Sequence, residues 1–239
     1  MIYPKNITGP QFNKSDLVEF SFDGAQLTLP IPVIPLNDGR IDELSTTKDF
    51  KNIDTRNWET DGFDNPYHSL VVQKWTFEDS ATWDNIATCM IEISLMEVTD
   101  EHKKSYMTLD GIAFKKYIID CFSIIYSDEE DENMDDPNWP KMHNEFNYQC
   151  INKPHLNWLQ VQRCAVEGRK PSPMAFIPID HRFLLSITFS MASLHYQDRT
   201  NPYSNELIRK LEFDLFDEYM QSIDLSYTDK TLKIIQSLA

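Results

Sequence analysis

Hydrophobic and polar positions alternate with a period of two over residues 183–189, where Phe183, Leu185, Ile187 and Phe189 are interleaved with Leu184, Ser186 and Thr188. That period marks a strand with one face in a core. Further on, Leu207, Ile208, Leu211, Leu215, Tyr219 and Ile223 recur at helical spacing and form one apolar stripe. The polar residues 197–202 between them predict a loop, and Ser204 or Asn205 can cap the helix with Glu206 in its first turn. A strand feeding a helix laid back over its own sheet is an α+β arrangement.

The same patterning extends to both sides. Val18, Phe20 and Phe22 alternate with Glu19 and Ser21, Asp23-Gly24 is a turn pair, and the alternation resumes over 26–29, which predicts a hairpin. Pro30, Pro32 and Pro35 then predict an extended exit that cannot be a central strand. Strands are expected over 70–77, 88–98 and 158–166, the second with Cys89, Ile91, Ile93 and Leu95 on one face and Thr88, Glu92 and Ser94 on the other. Residues 167–171 read as a turn. Thr108 is the expected cap of a helix running to about Tyr126, and a second short helix is expected over 228–239. The polar residues 37–65 read as a surface excursion with a short helix near Ile41 to Leu44, and the acidic residues at 127–140 as a loop. The expected fold is α+β: one domain over 1–239, with an antiparallel sheet (18–22, 88–98, 158–166, 183–189) and helices packed on it as a two-layer or α/β/α sandwich.

Composition adds the scale. A chain of 239 residues with 41% hydrophobic and 12% aromatic content buries a substantial core and does not read as disordered. Charge adds more: 38 acidic against 22 basic residues leave a formal net charge of -16. Such a surface repels nucleic acid and anionic lipid, which need Lys and Arg to displace counterions, and it attracts a basic partner. No run approaches 18 apolar residues and the N-terminus lacks a signal-peptide core, so the expected location is the cytoplasm.

Few residues carry recognisable chemistry. Cys89, Cys121, Cys150 and Cys164 form no C-x-x-C pair, and Cys89 and Cys121 read as small core residues. The six histidines make no zinc-binding spacing, and His181, after Asp180, reads as a turn residue. There is no G-x-S-x-G, Walker A or G-x-G-x-x-G sequence. Asp214, Asp217 and Glu218 read as the solvated face of the late helix. Trp58, Trp75, Trp83, Trp139 and Trp158 are candidates to line a groove or anchor an interface, with Trp75 and Trp158, inside predicted strands, reading as core. The acidic run lacks the glycine and ligand spacing of an EF-hand. It reads as a solvated segment or as a docking surface for a cationic partner. The candidate partner-binding residues are therefore Asp128, Glu129, Glu130, Asp131, Glu132, Asp135, Asp136 and Trp139, and no catalytic, cofactor or metal site is assigned.

The opening hairpin that ends in Pro30, the late strand over 183–189, and the closing helix ending in Gln221-Ser222-Ile223 together resemble the PsbP-like fold, which includes the DcrB-type secretion chaperones. The resemblance covers about a quarter of the chain and transfers no functional residue. It implies a non-catalytic protein that holds a partner or small ligand on its sheet. Two functional classes are carried forward. One is a protein-binding protein, such as an immunity protein or chaperone for a toxic or secreted effector, with a basic partner. The other is a hydrolase with a dispersed Asp/Glu/His site.

Overall fold

The computed structural model describes residues 7–33, 41–60, 65–98, 109–132, 147–153, 156–163, 172–194 and 205–238. In chain order the strands are β1 (Ile7–Thr8), β2 (Gln11–Ser21), β3 (Ala25–Val33), β4 (Ile41–Leu44), β5 (Glu59–Thr60), β6 (Pro66–Asp79) and β7 (Asn85–Glu97). After helix α1 (Gly111–Glu132) come β8 (Asn147–Lys153), β9 (Leu156–Arg163), β10 (Ser172–Pro178) and β11 (Phe183–Ser193). Helix α2 (Asn205–Ser222), β12 (Asp224–Tyr227) and helix α3 (Asp229–Leu238) close the chain.

Among the described residues the strands form two sheets. The larger has nine strands, in the order β1-β6-β7-β11-β10-β9-β8 with β4 and β5 also on β6, and the smaller runs β12-β3-β2. Every named pairing is antiparallel. Because strand side chains alternate, register decides what meets what. Ile91 lies opposite Phe189, Ile93 opposite Ile187 and Leu95 opposite Leu185, and all six are buried. Trp75, fully buried, lies opposite Cys89. Helix α2 lays Ile208, Leu211, Leu215, Phe216 and Tyr219 into this core, where the Phe216 ring meets Phe189 edge-on at 5.4 Å. The small sheet adds Phe20, Phe22, Leu27 and Leu29 to the same cluster. Residues of opposite parity, Met174, Phe176 and Leu184, are also buried but outside that cluster, as are Leu109, Phe114, Tyr117, Ile118 and Cys121 at and within α1.

The hairpin, the alternation in β7 and β11, the α2 stripe and the C-terminal helix match the sequence pattern, and Cys89 and Cys121 are buried. Several expectations are corrected. Residues 18–22 belong to the small sheet, not to the one built by β7, β9 and β11. Pro30 and Pro32 lie within β3, the middle strand of that sheet. They are tolerated because β12 pairs only with Ala25 to Thr28. Their nitrogens fall on the side that β12 leaves vacant, where no ladder donor is required. Residues 41–44 are a strand on β6, not a helix, since pairing to a long neighbour outweighs weak local preference. The helix cap is Asp110, whose Oδ1 accepts from the Ile112 and Ala113 amides at 2.8 and 3.2 Å, and α1 continues to Glu132 through residues expected to be loop. Thr108, Ser204, Val166, the turn at 167–171 and the loop at 197–202 lie outside the described residues.

Candidate functional site

Asp128, Glu129, Glu130, Asp131 and Glu132 occupy the last turns of α1, while Asp135, Asp136 and Trp139 lie outside the described residues. A helix C-terminus carries the negative pole of the backbone dipole and favours cations. Here it carries five acidic residues in succession and no basic residue in its last turn. Negative charge is thereby concentrated at one helix end by both the side-chain types and the backbone.

A second feature, present in the sequence only as one tryptophan among five, lies at the tip of the β6–β7 hairpin. The Trp83 amide donates to the Asp79 carbonyl at 2.7 Å, the Asp79 amide donates to the Asp84 carbonyl at 2.9 Å, and the Asp79 carboxylate accepts from the Ala81 amide at 2.8 Å. This turn holds Trp83 at φ 62°, a left-handed conformation that costs a bulky residue about 1–2 kcal/mol. The tryptophan is nevertheless 69% exposed, so burial of its own ring does not offset that strain. Leu194, itself an exposed hydrophobic residue, bonds through its amide to the Ile86 carbonyl at the base of the same hairpin. Glu78, Asp79 and Asp84 flank the tip, and no Lys or Arg occurs along the chain between Lys74 and Lys103.

The segment over 41–60 builds a third group. His68 on β6 lies 2.8 Å from Ser45 Oγ and stacks on Trp58 with ring centroids 5.3 Å apart, while Phe50 touches both rings. Ser45 Oγ lies within hydrogen-bond distance of both His68 Nε2 and the Thr47 carbonyl, at 2.8 and 3.1 Å, and the tautomer of His68 decides which group donates in the first contact. Ser45 is also buried. The same segment is also held by residues distant in the chain: Glu97 accepts from Thr55 and from Arg182, and Arg182 Nη2 donates to the Ile53 carbonyl at 2.7 Å. These contacts clamp residues 45–58 onto the sheet.

Trp75 is core and His181 is exposed in the β10–β11 turn, both as expected. Asp214 pairs with Lys210 on the outer side of α2, and burial followed by the nearby Asp214 charge raises the Asp217 carboxyl above its ordinary value. Among the described residues no group of three or more His, Cys, Asp or Glu is placed to hold a metal ion, and no helix is long and apolar enough to cross a membrane. Compared with family models, characterised proteins and solved structures, the chain matches none of them.

Proposed function

We propose that this protein acts by binding another protein rather than by catalysis, as a cytoplasmic immunity protein or chaperone that neutralises or accompanies a toxic or secreted effector. The observation that carries the reading is the concentration of charge. A chain of net charge -16 sets five acidic residues at the C-terminal end of α1, where the helix dipole already disfavours them. A basic partner docking there relieves both repulsions, and its approach is steered by the surrounding field. The PsbP-like resemblance enters only through its implication, a partner held on the sheet.

In the same reading the fold is an α/β/α sandwich. Helix α2 contacts β10 and β11, α1 contacts β9, and the two sets of buried residues have opposite parity along the strands.

The test is retention of a protein partner by the full chain from extracts of its own cells, followed by kinetics with Asp128, Glu129, Glu130, Asp131 and Glu132 changed to Asn or Gln. The expected result is slower association with a flatter salt dependence, and little change in dissociation. Turnover of a small ester or amide by the purified chain, with no partner retained, favours the hydrolase alternative.

A further inference from the structure

The β6–β7 hairpin tip combines three properties that the fold itself does not use. Its tryptophan is exposed, the backbone at that tryptophan is strained, and its flanks are acidic. Residues 80–85 are all exposed, so the tip projects as a unit, and the Leu194 side chain lies exposed at its base. A tryptophan presented on a turn fixed by backbone hydrogen bonds loses little freedom on docking, which is how interface anchors gain their energy. The indole face is the best aromatic acceptor for a cation, and the acidic residues Glu78 and Asp84 flank it along the chain. An acidic partner or an anionic lipid headgroup meets repulsion here, and a purely aliphatic partner leaves those carboxylates desolvated without a counter-charge.

We infer that this tip is an interaction surface on which Trp83 receives an arginine side chain from a basic protein segment, with Asp84 and Glu78 supplying the counter-charge. The inference rests on the protein-binding reading above and gives it a specific anchor, separate from the acidic end of α1. Arginine is favoured over lysine because its planar guanidinium stacks on the indole while still donating to a carboxylate.

The experiment uses the full chain with ¹⁵N-labelled tryptophan, the Trp83 indole signal being assigned with Trp83→Phe. The probes are a ten-residue alternating Arg-Gly peptide, its Glu-Gly counterpart and a Val-Ser peptide. The Trp83 signal is expected to move with Arg-Gly and to stay in place with the other two. Trp83→Ala is expected to weaken Arg-Gly binding by about two- to fivefold, the range of an exposed cation–π contact. Binding of Arg-Gly that is unaffected by Trp83→Ala but weakened by the five substitutions at 128–132 overturns the hairpin assignment and leaves the protein-binding reading standing. A Trp83 signal that moves only with Val-Ser overturns the assignment of a cationic partner. No binding of Arg-Gly to the unaltered chain overturns the hairpin assignment, while retention of a protein partner from extracts tests the protein-binding reading separately.

Discussion

Arg182 Nε donates to Glu97 Oε1 at 2.7 Å, a half-buried ion pair between the β10–β11 turn and the C-terminal end of β7. The same two side chains reach Ile53 and Thr55, so one contact secures both the turn and the segment over 41–60. Arg182→Ala removes the guanidinium from the Glu97 carboxylate, which is 13% exposed. The expected loss is about 2–4 kcal/mol, measured by urea unfolding. Arg182→Lys keeps the charge but not the fork, and is expected to recover only part of it. In both variants amide exchange at 45–58 is expected to rise more than in β7.

Gly24 marks a close approach between the β2–β3 turn and two distant elements. A Cβ there would lie 2.7 Å from Asp180 Cβ and 2.9 Å from Thr231 Oγ1. Asp180 cannot simply swing away, because its Oδ1 accepts from the Arg182 and Phe183 amides. Gly24→Ala is expected to destabilise by about 1–3 kcal/mol through overpacking. An unchanged denaturation midpoint would show that the approach is looser than described.

Leu215 is fully buried beside Phe216 on the inner face of α2, and Leu215→Ala is expected to cost about 2–5 kcal/mol. Lys210 lies on the exposed side and pairs with Asp214 one turn away. Lys210→Ala is expected to change stability by no more than about 0.5 kcal/mol. Thermal melts of the two variants side by side check the helical phase.

Alkaline stability depends on two buried phenols. Burial, and then the Asp180 charge, raise the Tyr227 hydroxyl above its ordinary value, and burial raises that of Tyr219. In the folded state both hold their protons at a pH where the unfolded chain has released them. Their contribution is therefore fully present below about pH 10, the unfolded value, and falls as pH rises beyond it. Tyr227→Phe removes the hydrogen bond to the Pro178 carbonyl, costs about 1 kcal/mol at neutral pH, and makes the alkaline decline shallower. At the acid end the sign reverses. Hydrogen bonds from Arg56 hold Asp54 at about 2, so its contribution is present above about pH 4 and lost as pH falls through about 2. Unfolding midpoints across the pH range check both limbs.

How much was legible in the sequence follows from which interactions are local. The alternation Cys89, Ile91, Ile93, Leu95 and the stripe Leu211, Leu215, Tyr219 arise from a single element against a single core, and they could be read directly. Pro30 and Pro32 misled because their tolerance depends on where β12, nearly 200 residues later, stops pairing. Strand β10 was not separated from its neighbours because Met174, Ala175, Phe176 and Ile177 are all buried, which removes the alternation. Residues 128–132 were expected to be loop from like-charge repulsion, yet they extend a helix already nucleated upstream. Of the candidate sites, the acidic run was visible as composition. The exposure of Trp83 was not, since it depends on the turn around Asp79 and on the strands that bury Trp75 instead.

Capture of a basic protein partner by the acidic end of α1 is a proposal that the association rate constant of the retained partner, at low and at physiological salt, decides. A steep fall with salt is expected in the parent chain, since the screening length shortens to about 8 Å at physiological ionic strength. A slower and flatter response is expected when Asp128, Glu129, Glu130, Asp131 and Glu132 are neutralised. An association rate indifferent to both salt and those five substitutions would contradict it.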